Sequence, residues 1–133
     1  MILFQNSLLK LRYDPATDIL FVDMPDITYD LRADFRRSLD IIVENTRNYD
    51  VKKLLVNASR SVIDMDTKDY TALITNFSKD LKSTRLQKVA RVESASSSRE
   101  RMVQKIIEEV QPVSFYRTFL DEQSAVEWLK SGS

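Results

Sequence analysis

Residues 53–70, KLLVNASRSVIDMDTKDY, pass from an unbroken apolar run through a polar loop to the start of a helix. Leu54, Leu55 and Val56 are too few for a helix and do not alternate with polar residues, which marks a strand buried on both faces. From Tyr70 onward, Leu73, Ile74, Phe77 and Leu81 recur at helical spacing. Between the two lie Asp64, Asp66 and Asp69, which raise the choice between a cation site, a phosphorylation switch and a helix start. An EF-hand loop needs a ligand where Lys68 stands, then a glycine and a glutamate that the segment lacks. A phosphatase-type D-x-D-x-T needs its threonine one residue after Thr67. The spacing fits a helix start better: Asp66 accepts from the free amides of the first turn, and Asp69 complements the helix dipole.

The same reading extends in both directions. Residues 8–13 (LLKLRY) and 19–24 (ILFVDM) flank DPATD, a turn signal, and predict an N-terminal β-hairpin. Leu31, Phe35, Leu39, Ile42 and Val43 predict a helix over about 29–48, with Thr28 or Asp30 as its cap. Residues 86–93 (LQKVARVE) and 113–119 (VSFYRTF) predict two further strands. Between them a helix carries Met102, Val103, Ile106, Ile107 and Val110 and is closed by Pro112. A short helix with Ala125, Val126, Trp128 and Leu129 ends the chain. Strands separated by such helices are parallel and joined by right-handed crossovers. The expectation is one α/β domain over 1–133, a sandwich built on a mixed, mostly parallel sheet of about five strands with about four helices.

Composition narrows the chemistry. The chain has 133 residues, 43% of them hydrophobic, enough for one domain with a substantial core. Twenty basic and 20 acidic residues cancel, and no stretch is plainly basic, so no nucleic-acid partner is expected. Cysteine and histidine are absent, which removes thiolate chemistry, disulfides, the usual general base and the commonest metal ligand. The one glycine is Gly132, so a phosphate-cradling glycine loop is excluded. The apolar start MILF is too short for a secretory signal, and no span is long enough to cross a membrane. A cytoplasmic location is expected, in which the sequons at Asn57 and Asn76 are chance matches.

In a parallel sheet the loops after residues 24, 57 and 93 open on the same carboxyl edge, where ligands of α/β folds sit. Asn57, Ser59, Asp66, Thr67, Lys68, Ser97 and Arg99 are therefore the candidate residues for a ligand or partner. In VESASSSRER (92–101), Ser97 and Glu100 have capping-box spacing, and Arg99 or Arg101 adds charge where helix amides can hold an anion. Ser59 and Ser61 have Lys52, Lys53 and Lys68 nearby in sequence, but no spacing makes a nucleophile–base pair. No catalytic set, metal or cofactor is expected. Trp128 is a candidate apolar contact, anchoring a dimer or lining a pocket.

With these elements in order, the chain resembles the STAS and SpoIIAA-like family of bacterial anti-sigma-factor antagonists. The resemblance lies in a short strand followed by Ile63, Asp64, Met65, Asp66 and Thr67 opening a helix. The closing FYRTFLDEQSAVEWLKS resembles the branch grouped with CRAL-TRIO lipid-binding domains. In regulatory members the motif reads Asp-Ser-Ser/Thr-Gly, and its second hydroxyl accepts phosphate. Asp66 matches the aspartate and Thr67 the first hydroxyl, while the acceptor position falls on Lys68 and the glycine on Asp69. The resemblance implies a non-catalytic regulatory or protein-interaction module, homodimeric and without an intact phospho-switch. Its second branch implies a binder of a lipid or small apolar ligand.

Overall fold

The computed structural model describes residues 1–24, 26 and 32–131. Six strands form one sheet in the order of the chain: β1 (Ile2–Gln5), β2 (Lys10–Asp14), β3 (Ile19–Asp23), β4 (Lys53–Asn57), β5 (Lys88–Val92) and β6 (Phe115–Phe119). The first three run antiparallel as a meander, and β3 to β6 are parallel. Four helices complete the chain: α1 (Arg32–Asn48), α2 (Thr67–Lys82), α3 (Ser97–Val110) and α4 (Glu122–Lys130).

The mixed α/β sheet and four helices agree with the sequence, but the strand count does not. The predicted hairpin is β2 and β3, and a further strand, β1, takes the edge position expected for β2. Its four residues carry only a weak strand pattern; pairing with β2, through a bulge between Ile2 and Phe4, holds it. The turn between them is set by Asn6, whose Oδ1 accepts from the amides of Leu8 at 2.8 Å and Leu9 at 2.7 Å. The candidate caps Thr28 and Asp30 of α1 lie outside the described residues.

Side-chain alternation explains why β4 reads as a continuous apolar run, and why Val89, Ala90 and Val92 of β5 are all buried. Leu20, Val22, Leu54, Val56 and Val89 point to one face and pack under Phe35, Leu39 and Ile42 of α1, Tyr70, Ile74 and Leu81 of α2, and Val103 and Ile106 of α3. Ile19, Leu55, Ala90 and Val92 point to the other, where Ala125 and Leu129 of α4 cover them. Trp128 belongs to this second layer. Its ring lies 5.7 Å from that of Phe119, and the Lys88 ammonium sits 5.1 Å above it. The candidate apolar contact is thus partly occupied within the chain itself.

A chain almost without glycine ends its elements with other residues. Asp18, Asp50 and Gln111 adopt φ values of 57°, 52° and 51°. Gln111 closes α3, its amide reaching Ile107 O. Asp18 earns its place by bonding: it accepts from Tyr13 Oη at 2.7 Å and from the Lys52 amide at 3.3 Å, tying the β2–β3 turn to the start of β4.

Candidate functional site

The parallel strands end on one edge, and the loops that follow β4 and β5 meet there. Asp66 caps α2 as expected, its Oδ1 accepting from the Lys68 amide at 2.8 Å. Asp69, in the first turn, pairs with Arg32 at 2.8 Å. These carboxylates are thereby engaged separately, and among the described residues no group of three acidic side chains is placed to hold a metal ion.

The start of α3 departs from the expected capping box. The cap is Ser96, whose Oγ accepts from the Arg99 amide at 3.2 Å, one residue earlier than predicted. Glu100 leaves the capping-box role, its carboxylate bonded instead to Arg91 beneath it and to Ser94 just ahead of the helix. Arg91, in the middle of β5, points to the α2–α3 face and is only 7% exposed. Its Nε and Nη2 donate to the two carboxylate oxygens of Glu100 at 2.8 and 3.1 Å. The same carboxylate accepts from the amide and hydroxyl of Ser94, at 3.2 and 2.6 Å.

Arg99 joins this network from the other side. Its Nε donates to Ser94 Oγ at 3.2 Å, and its Nη2 donates to Ser61 O at 2.7 Å, which pins the β4–α2 loop to the β5–α3 loop. Burial works against the charge on Glu100, yet the Arg91 bonds and charge and the Ser94 bonds outweigh it and hold the carboxyl below its usual range. Burial also opposes the Arg91 charge, but the Glu100 hydrogen bond prevails and raises its pKa further. Arg99 goes the other way: burial, with the like charge of Arg91 contributing, lowers its pKa despite the opposing influence of Tyr70 and Glu100.

Above this network lies a groove of about 520 Å³. Arg99, Ser61, Ser96 and Ser98 give its lining a polar part, and Ile63, Met65, Tyr70 and Met102 a largely apolar one. Of the candidate residues, Ser59, Thr67 and Arg99 line it. Asn57 and Ser59 also border a second, open cleft of about 780 Å³ that continues along the edge to Leu120. Asn57 Oδ1 accepts from the Ser59 hydroxyl at 2.6 Å and shapes the turn between the two. Lys68, Ser97 and the Asp66 side chain are not part of the groove lining. The loop after β3 reaches the same edge, where Asp26 Oδ1 accepts from the Val62 amide at 2.8 Å.

Sequence reasoning missed Arg60, Ser96, Ser98 and Met102 in the lining, and Arg91 and Glu100 beneath it. Ser96 and Ser98 flank a residue that was singled out. Arg91 had a signal of its own, a cation between the apolar Ala90 and Val92 of a strand that is buried along its length.

A different cavity lies between the sheet and helices α2 and α3, bounded by Phe77, Val103, Ile107, Arg91 and Tyr116. It measures about 40 Å³. Tyr116 Oη, which borders it, is the one fully buried side-chain polar atom without a hydrogen-bond partner among the described residues. No helix is long and apolar enough to cross a membrane among the described residues.

Compared with family models, with curated proteins and with solved structures, the chain finds no match.

Proposed function

We propose that this chain is a non-catalytic, STAS-like interaction module that self-associates and meets protein partners through the carboxyl edge of its sheet. The observation that carries the reading is where apolar surface is left uncovered. Leu120 and Val62, at 86% and 67%, have the highest exposures among the large hydrophobic side chains of the described residues. Both stand at this edge: Val62 on the groove, Leu120 on the adjoining cleft, with Ser59 and Arg60 bordering both. Exposed apolar residues ringed by polar ones are the surface pattern of a protein contact. The arrangement of the STAS-like resemblance supports the same edge, since its regulatory motif falls at the start of α2. The switch itself is absent from the proposal because Lys68 occupies the acceptor position.

Binding of a lipid is the weaker reading. The enclosed apolar cavity under α2 and α3 has about 40 Å³, far below the roughly 300–1,000 Å³ of ligand pockets. The groove of about 520 Å³ is large enough, but it sets Arg60, Arg99 and five serine and threonine side chains beside its apolar ones, a poor match for a purely apolar ligand.

Light scattering on a size-exclusion column tests the proposal. The chain at about 100 µM should elute as a dimer, a concentration at which an interface worth roughly 8 kcal/mol is largely occupied. Leu120→Asp should return it to monomer without loss of helix content. A wild-type chain that stays monomeric and retains no protein partner at that concentration would end the reading.

A further inference from the structure

We infer that the groove at the carboxyl edge binds a phosphate monoester, its phosphoryl oxygens held by Arg99 and the start of α3. This rests on the edge being the functional surface and names the ligand class for the groove within it. The starting observation is charge. Arg91, Arg99 and Glu100 form one network in which two guanidiniums face a single carboxylate, leaving one positive charge in excess. Arg91 takes both carboxylate oxygens at hydrogen-bond distance, whereas Arg99 Nε stands 4.0 Å from the nearer one. The uncompensated charge therefore belongs to Arg99.

Arg99 is 7% exposed, so that charge is held largely out of water. Its Nε and Nη2 are engaged, but Nη1 has no hydrogen-bond partner among the described residues. Nor is Nη1 fully enclosed, because the one side-chain polar atom both fully buried and unpartnered there is Tyr116 Oη. The groove is the opening that Arg99 lines. A buried cation with a donor left over calls for an anion to complete it.

The lining agrees with that demand. In a chain with as many acidic as basic residues, the groove carries Arg60 and Arg99, five serine and threonine side chains and no carboxylate among its described residues. Apart from Glu100, already taken by Arg91, the acid whose charge reaches Arg99 is Asp26, and it is solvent-exposed at the Val62 amide, where water and salt screen it. The Ser96 and Ser98 hydroxyls lie 3.2 Å apart at the first turn of α3, whose dipole adds a partial positive charge at the same place. A phosphate monoester dianion offers three acceptor oxygens in diverging directions, which suits the single free nitrogen of Arg99 joined by hydroxyls better than a flat carboxylate does.

The remaining walls state what the phosphate is attached to. Ile63, Met65 and Met102 give the groove an apolar side that a bare inorganic ion would leave exposed. The ligand is thus an ester with an apolar or aromatic group, supplied either by a free small molecule or by a phosphorylated side chain of a partner protein.

The test is an amide NMR titration of the full chain at constant ionic strength with inorganic phosphate, phenyl phosphate and a short phosphotyrosine peptide. Saturable shifts confined to residues 58–66 and 94–102, at least tenfold tighter for phenyl phosphate than for inorganic phosphate, are the expected result. Peptide binding tighter than phenyl phosphate assigns the ester to a partner protein, and weaker binding assigns it to a small molecule. Ser98→Asp should weaken phenyl phosphate at least tenfold, while an acid at this helix start favours folding, so misfolding is not the cause. Lys105→Asp, a charge change twice as large on exposed surface farther along α3, should leave affinity unchanged. Shifts that never saturate, or that Ser98→Asp and Lys105→Asp weaken equally, overturn the proposal. Leu120→Asp, lying outside the groove, should abolish self-association and leave phenyl phosphate affinity intact, so the two readings fail separately.

Discussion

Replacing Glu100 by alanine should strip the neutralising partner from a guanidinium that is only 7% exposed. Arg91 would keep its position, because β5 is buried along its length, and would face Arg99 with no carboxylate between them. Breaking a buried pair by removing one partner costs about 3–5 kcal/mol. Loss of the two bonds from Ser94 places the expected value in the upper half of that range. Urea unfolding followed by circular dichroism reads it directly: with a slope of about 2 kcal/mol per molar, the midpoint should fall by about 2 M. The double variant Arg91→Met with Glu100→Leu should lie within about 1.5 kcal/mol of wild type, since an apolar pair of similar volume removes both charges at once. The pair also sets a pH dependence. Glu100 has a depressed pKa in the fold, so its contribution is complete above the unfolded carboxyl value and is lost as pH falls through the folded one. Wild type and Glu100→Gln should therefore differ most near neutral pH and converge below about pH 4. A Glu100→Ala variant within about 1 kcal/mol of wild type would refute the buried-network argument.

Gln111 holds a left-handed backbone at φ 51° with an exposed side chain, so Gln111→Gly should raise stability by about 0.5–1 kcal/mol, read as a higher urea midpoint. Leu129 is fully buried under the second face of the sheet, and Leu129→Ala should cost about 2–5 kcal/mol, with hydrogen exchange rising first in α4. Tyr13 donates to Asp18, and that bond, with burial and the carboxylate's charge, pushes its phenol up to about 12. The stabilisation is present below the ordinary tyrosine value and is lost as pH rises through the folded one; Tyr13→Phe should therefore flatten stability between about pH 10 and 12 in alkaline unfolding curves.

The sequence disclosed the elements whose stability is local or whose burial is two-sided. Leu54–Val56 and the stripe from Tyr70 to Leu81 each carry their own period, and Asp66 sits where only a cap makes sense. What stayed hidden depends on partners distant in the chain. β1 is a strand because β2 pairs with it, and nothing in ILFQ alone requires that. Three serines in succession at 96–98 offer equivalent caps in the sequence, and the fold uses Ser96. Glu100 looks like the second half of a capping box until β5 delivers Arg91 beneath it. Lys88 and Arg91 look like outward residues of a strand, yet both are buried: one reaches Ser131 O at 2.9 Å on the α4 face, the other reaches Glu100 on the opposite face. The groove followed from topology, since parallel strands bring their following loops together, but its positive lining emerged only from those hidden pairings.

Hydrogen exchange of the full chain, compared between about 1 µM and 100 µM protein, tests most directly that the carboxyl edge is the contact surface. Added protection at high concentration is expected in peptides covering 58–66, 94–98 and 119–122, and none along β1. Protection confined to the open edges of the sheet at β1 or the face of β6, or no change at either concentration, would contradict it.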